Sequence, residues 1–151
     1  MLKIASTQFS LETKSIDIYL SGCNGIPKCE GCHNPELWDF SIGSEYNNKY
    51  FSYLKNKIVS FDILVDNIFI MGGEPLDQDL NSLISFLSDL NTFKKDIWLF
   101  TRNEIEDIPQ EVLNLISYVK TGRYDKRLIC EDNIQHGVKL ATSNQKIFKI
   151  K

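Results

Sequence analysis

Apolar positions along this chain follow two rhythms. Short runs rich in β-branched and aromatic residues occupy Leu2–Ala5, Ile16–Leu20, Asn67–Met71, Asp96–Phe100, Ile116–Lys120 and Ile147–Ile150, and each reads as a strand. A weaker run lies at Val138–Ala141. Two intervening stretches carry apolar residues three and four apart, the spacing of one helical face. Tyr46–Val59 sets Tyr46, Tyr50, Tyr53, Leu54 and Ile58 on roughly one side. Leu80–Leu90 does the same with Leu80, Leu83, Ile84, Leu87 and Leu90, and Asp77 or Asp79 stands near its N-cap. Pro109 suits the first turn of a short helix reaching Leu115.

This strand–helix alternation predicts an α/β fold with a mainly parallel sheet. A closed eight-unit barrel needs ~200 residues or more, so 151 residues predict at most an open, partial (β/α) barrel, and one domain over residues 1–151. In parallel sheets the chemistry gathers at the carboxyl ends of the strands. Four consecutive strand ends here carry polar, glycine-rich or cysteine-rich sequence. A cysteine-bearing loop follows Ile16–Leu20, Gly72-Gly73-Glu74-Pro75 follows Asn67–Met71, Thr101-Arg102 follows Asp96–Phe100, and Thr121-Gly122-Arg123 follows Ile116–Lys120.

Composition narrows the class without naming it. Hydrophobic residues make up 42% and charged residues 25%, which is globular rather than disordered. The net charge of −3 argues against a nucleic-acid footprint, since Lys and Arg are scattered apart from pairs such as Lys94-Lys95 and Lys126-Arg127. No apolar run reaches the ~18 residues of a membrane span, and no signal peptide is visible at the N-terminus. The expected compartment is the cytoplasm, where clustered cysteines are more often metal ligands than disulfides.

Cys23, Cys29 and Cys32 fall within ten residues, directly after a predicted strand. Three thiolates on one loop can converge on one metal centre. The number is odd for disulfides and one short of a closed tetrahedral zinc site, but it suits a four-iron cluster with one iron left open. A structural zinc knuckle would need His33 or Cys130 as fourth ligand, and zinc sites usually pair two short spacings. Cys130 has no cysteine neighbour and reads as a small, buried or partly exposed residue without a metal role. Taken alone, Gly72–Pro75 is an ordinary strand-ending turn and Arg102 a surface charge. Trp38 and Phe40 read as loop-anchoring aromatics, His136 as structural, and Lys120 and Arg123 as solvated or partner-facing.

Cys23, Cys29 and Cys32, followed by His33-Asn34-Pro35-Glu36-Leu37-Trp38-Asp39-Phe40, resemble the radical S-adenosylmethionine (SAM) enzymes, and more narrowly the small activating enzymes of anaerobic ribonucleotide reductase. Gly72-Gly73-Glu74-Pro75 resembles the SAM-binding GGEP segment, and Trp98–Thr101, Lys120–Asp125 and Ser143–Gln145 resemble later segments of the same enzymes. The resemblance runs from about Tyr19 to the C-terminus. It departs at the cysteine spacing, Cys-x5-Cys-x2-Cys where the family usually has Cys-x3-Cys-x2-Cys, and in lacking an Asn/Gly-rich segment within Gln8–Ser15.

The resemblance implies a radical SAM partial barrel and the following roles. Cys23, Cys29 and Cys32 hold a [4Fe–4S] cluster whose open iron chelates SAM. Gly72 and Gly73 admit the ligand, Glu74 meets its ammonium and Pro75 stiffens the turn. Thr101 and Arg102 reach the ribose or carboxylate, and His33 and Asn34 the adenine edge. Reductive cleavage of SAM, driven by a flavodoxin or ferredoxin-type donor, leads to a glycyl radical on a partner reductase. The alternatives are a radical SAM enzyme acting on another glycyl radical enzyme, a peptide or a small molecule, or a non-enzymatic, metal-stabilised binding module.

Overall fold

The structure, a computed structural model, describes residues 1–151. Its elements in chain order are β1 (Lys3–Ser10), β2 (Ser15–Leu20), β3 (Ser44–Glu45), α1 (Asn48–Phe61), β4 (Asn67–Gly72), α2 (Leu80–Asn91), β5 (Asp96–Phe100), α3 (Gln110–Leu113), β6 (Tyr118–Thr121), β7 (Ile134–Gln135), β8 (Val138–Lys139) and β9 (Lys146–Lys149). Seven strands form one sheet in the order β3-β1-β2-β4-β5-β6-β9, while β7 and β8 pair separately. No helix is long and apolar enough to cross a membrane.

The four middle strands, β2, β4, β5 and β6, are parallel. Their order in the sheet repeats their order in the chain, so the winding runs in one direction. The helices between them pack on one face. Leu54 and Ile58 of α1, Leu83, Phe86, Leu87 and Leu90 of α2 and Val112 of α3 join Ile16, Ile18, Ile68, Ile70, Ile97, Leu99 and Val119 in the main core. The strand alternation sends the next residues the other way. Phe69 and Trp98 form a smaller cluster there with Leu140 and Ile147.

The expectation of a mainly parallel sheet is corrected at both edges. β1 pairs antiparallel with β2 and β3, and β9 pairs antiparallel with β6. The sheet is therefore mixed. The polar stretch Gln8–Ser15, which carries no clear strand signal, is the end of β1 and a tight turn into β2, with Ser10 opposite Ser15. Those residues escape notice because β1 lies near the edge and is buried on only part of its length. Three helix starts are sharpened. Asn47 caps α1 by accepting from Tyr50 N, Asp79 caps α2 by accepting from Ser82 N, and Pro109 precedes α3 rather than opening it. Asp77 is left free for another partner.

Candidate functional site

Because β2, β4, β5 and β6 are parallel, their carboxyl ends share one rim. An open cavity of about 290 Å³ lies there, with Cys23, Cys29 and Cys32 on its wall. All three cysteines are half-buried and free of disulfides. His33 and Asn34, Gly72, Gly73 and Glu74, and Thr101 and Arg102 line the same cavity. Pro75 lies just outside and is buried. Cys130 is not part of the lining, so the zinc arrangement that used it has no geometric support.

The turn after β4 is built from the inside. Gly72 has φ +114°, and a Cβ there would stand 2.3 Å from Leu20 O. A Cβ on Gly73 would stand 2.2 Å from Gly22 O and 2.6 Å from Leu37 O. Both glycines are thus demanded by the protein's own backbone, which crosses this turn from the cysteine loop. Gly73 N donates to Leu20 O and Glu74 N to Gly22 O, each at 2.8 Å. Gly22 N in turn donates to Leu37 O at 2.8 Å. The start of the cysteine loop, the turn after β4 and the segment after Cys32 are one hydrogen-bonded knot.

Glu74 is only 1% exposed. Its Oε1 accepts from Leu76 N at 3.0 Å and from Thr101 Oγ1 at 2.7 Å. Its Oε2 accepts from Arg102 N at 2.8 Å and lies 3.2 Å from Arg102 Nη1. A carboxylate offers about four lone-pair sites; three accept hydrogen bonds here, and the guanidinium of Arg102 stands beside the fourth as an ion pair. The side chain expected to meet a ligand's ammonium instead ties the end of β4 to the end of β5. Thr101 is similarly spent: its hydroxyl donates to Glu74 and accepts from Asn103 N and Nδ2. Arg102 is gripped by Asp77 through two bonds, Nη1 to Oδ2 at 2.9 Å and Nη2 to Oδ1 at 3.1 Å. Partial burial works against its charge, but the Asp77 bonds and the Glu74 and Asp77 charges outweigh that and hold the guanidinium above its ordinary pKa.

Several participants were not assigned to the site from sequence. Asp77 read as a helix cap, and its pairing with Arg102 depends on a contact no local pattern encodes. Lys120, on β6, points into the cavity and donates to Thr101 O and Gly122 O, each at 3.3 Å. Burial pushes its ammonium down to about 8, with the charges of Glu74, Cys29 and Glu104 pulling the other way. Tyr124, just after β6, sets its ring 5.0 Å from that of His33. Arg123 donates to Pro27 O, Lys126 pairs with Glu30, and Lys28 donates to Cys23 O while standing 5.5 Å over the Trp38 ring. The loop after β6 thereby grips the cysteine loop from outside.

The donor set suits an iron–sulfur cluster. Three free thiols share one wall, and the cations Lys28, Arg102 and Lys120 stand around them, offsetting the negative charge that thiolate ligation brings. No three His, Cys, Asp or Glu side chains close around a single-ion position. A cubane takes one thiolate per iron and asks its ligands to stand further apart than a single ion does.

Comparison with known proteins points the same way. Residues 13–148 match the family model described as a 4Fe-4S single cluster domain. The chain is similar to the anaerobic ribonucleoside-triphosphate reductase-activating protein of Enterobacteria phage T4, with 28% identity over 116 residues, 74% of this chain and 71% of the relative. It is similar to the protein of the same name from Haemophilus influenzae, with 24% identity over 137 residues, 89% of this chain and 86% of the relative. The Pasteurella multocida protein of that name is 24% identical over 117 residues, 72% of this chain and 73% of the relative.

Proposed function

The chain belongs to the 4Fe-4S single cluster domain family, and from that premise we propose that it is a radical SAM activase that installs a glycyl radical on an anaerobic ribonucleotide reductase. The observation that carries this reading is the convergence of three free thiols and the Gly72–Glu74 turn on one cavity at the carboxyl ends of four parallel strands. The relatives' shared name supplies the partner.

Cys23, Cys29 and Cys32 would hold the [4Fe–4S] cluster. Bound there with SAM, the cluster would supply one-electron reductive cleavage of the sulfonium, the chemistry that would lead to a glycyl radical on the partner. The remaining work belongs to this chain's residues. The backbone of Gly72 and Gly73, already fixed by contacts to Leu20 and Gly22, forms the edge on which the methionyl group rests. Glu74, Pro75 and Thr101 hold that edge still rather than touching the ligand. His33 and Asn34 border the adenine side, where Tyr124 steadies the His33 ring. Lys120 offers a cation to the ligand's carboxylate. The one-directional winding of the parallel strands supports reading the chain as one domain with the arc of an open (β/α) barrel, whose unclosed side would admit the partner's glycine loop. A flavodoxin or ferredoxin-type protein of the cytoplasm provides the electron.

The test is electron paramagnetic resonance of the anaerobically reconstituted, dithionite-reduced protein with and without SAM. A [4Fe–4S]⁺ signal that shifts on adding SAM is expected, as is a glycyl radical signal when the cognate reductase is present. One bound zinc and no cluster would return the chain to a structural module. SAM cleavage without a glycyl signal would keep the chemistry and reject the partner.

A further inference from the structure

We infer that Arg102 is a positioning and tuning residue of the iron–sulfur centre, donating an N–H···S hydrogen bond to the Cys23 thiolate and thereby raising the reduction potential of the cluster. This rests on the cluster assignment made above and assigns Arg102 a role other than contact with SAM. Arg102 Nη1 lies 3.8 Å from Cys23 Sγ. The same guanidinium is held on two sides, by both oxygens of Asp77 and by Glu74 Oε2. Its side chain is 21% exposed, and the carboxylates of Asp77 and Glu74 are 14% and 2% exposed. Such a fork has little freedom to swing toward a ligand, because leaving either carboxylate would strand a buried charge.

The loop that carries Cys23 is pinned to the same group. Asn24 N donates to Asp77 Oδ2 at 2.6 Å, on the oxygen that also receives Arg102 Nη1. Gly25 lies against both partners: a Cβ there would stand 3.4 Å from Arg102 Nε and 3.4 Å from Cys23 Sγ. The first residues of the lengthened Cys23–Cys29 interval are therefore laid along the Asp77–Arg102 pair. Asp77 fixes where the guanidinium stands and where Asn24 stands, so the distance between the donor and the thiolate is set by one carboxylate.

The electrostatic consequence has a definite sign. Reduction adds negative charge to a centre already bearing thiolates. A cation and a hydrogen bond at a ligand sulfur favour the more negative state, and hydrogen bonds to sulfur and net charge are among the factors that set cluster potentials. Removing Arg102 also leaves Glu74 and Asp77 uncompensated near the thiolate, which pushes the same way. The variant Arg102→Gln should titrate at a more negative potential. About a tenfold fall in reduced cluster at a fixed poise is expected, which is about 59 mV for a one-electron couple. Arg102→Lys keeps the charge without the fork and should fall between the two.

The experiment is a dithionite titration of reconstituted wild type, Arg102→Gln and Arg102→Lys, with the [4Fe–4S]⁺ signal read by electron paramagnetic resonance and iron and sulfide content measured alongside. Normal iron content with a lowered potential supports the inference, and a merely structural role would change content without changing potential. An unchanged potential in Arg102→Gln, or in Arg102→Lys should the first fail to hold a cluster, overturns it. So does an unchanged potential coupled to weakened SAM binding, which would make Arg102 a ligand contact. Failure of the wild-type protein to build any cluster would instead remove the functional reading beneath it.

Discussion

The turn after β4 and the cysteine loop after β2 meet at the same cavity, yet they are held in opposite ways. The turn is locked from within. Glu74 is 1% exposed, its carboxylate accepts three hydrogen bonds from the protein, and both glycines are wedged against neighbouring backbone. The cysteine loop is exposed, with Ile26 at 92%, and beyond Cys23 it is steadied by side chains that arrive from outside: Arg102, Arg123, Lys126 and Tyr124. A rigid ledge and a strapped loop divide the labour. The ledge is set by the fold, while the loop that carries the three cysteines depends on distant residues to hold it.

Breaking the ledge should have the largest effect. Glu74→Ala removes the acceptor of two backbone amides and one hydroxyl, while Arg102 keeps its two bonds to Asp77. A loss of about 3 kcal/mol in chemical denaturation is expected from the donors left unsatisfied, with iron content falling as a consequence. Retention of full stability would show that the carboxylate is not structural and would restore it as a ligand contact. Gly73→Ala comes next. Its methyl would enter the space of Gly22 O and Leu37 O, and overpacking of this kind costs about 1–3 kcal/mol. A denaturation midpoint equal to the wild type would refute the close approach.

Much of the ledge was legible in the chain and little of the strap. Asn67–Met71 is a short, nearly continuous apolar run that ends in glycines, so the strand, the turn and its place on the carboxyl-end rim follow from local pattern. The helices Leu80–Leu90 and Tyr46–Val59 were found within a few residues for the same reason. The mixed edges of the sheet were not, because Thr7–Ser10 pairs with one neighbour along a partly exposed stretch and leaves no apolar run. Arg123, Lys126 and Tyr124 looked like ordinary surface residues. Their partners Pro27, Glu30 and His33 lie roughly ninety residues earlier, and only the parallel pairing of β2, β4, β5 and β6 brings them together.

Two smaller effects sharpen the contrast. Lys120 is held near 8 in the folded chain, against an ordinary value of 10.5. Between those values the unfolded chain binds more protons, so the Lys120 contribution makes stability rise with pH across that window. Denaturant titrations at several pH values should show this slope in the wild type and lose it in Lys120→Met; equal slopes would mean the ammonium is not desolvated. Arg123→Ala should change stability by no more than about 0.5 kcal/mol, as surface substitutions do. It should nonetheless speed iron loss to a chelator several-fold, because the strap over Pro27 is cut. Identical iron-loss rates would mean that the loop holds itself.

The cavity's walls are drawn from residues far apart in sequence, from Cys23 to Leu140 and Gln145. Between them Gln145 donates to Gly122 O, and β9 closes the sheet beside β6. During synthesis the three cysteines emerge early, long before the residues that will shelter them. A nascent chain thus leaves its three thiols open to solvent, oxidants and stray metals until Leu140 and Gln145 have followed them out and folded back over the cavity.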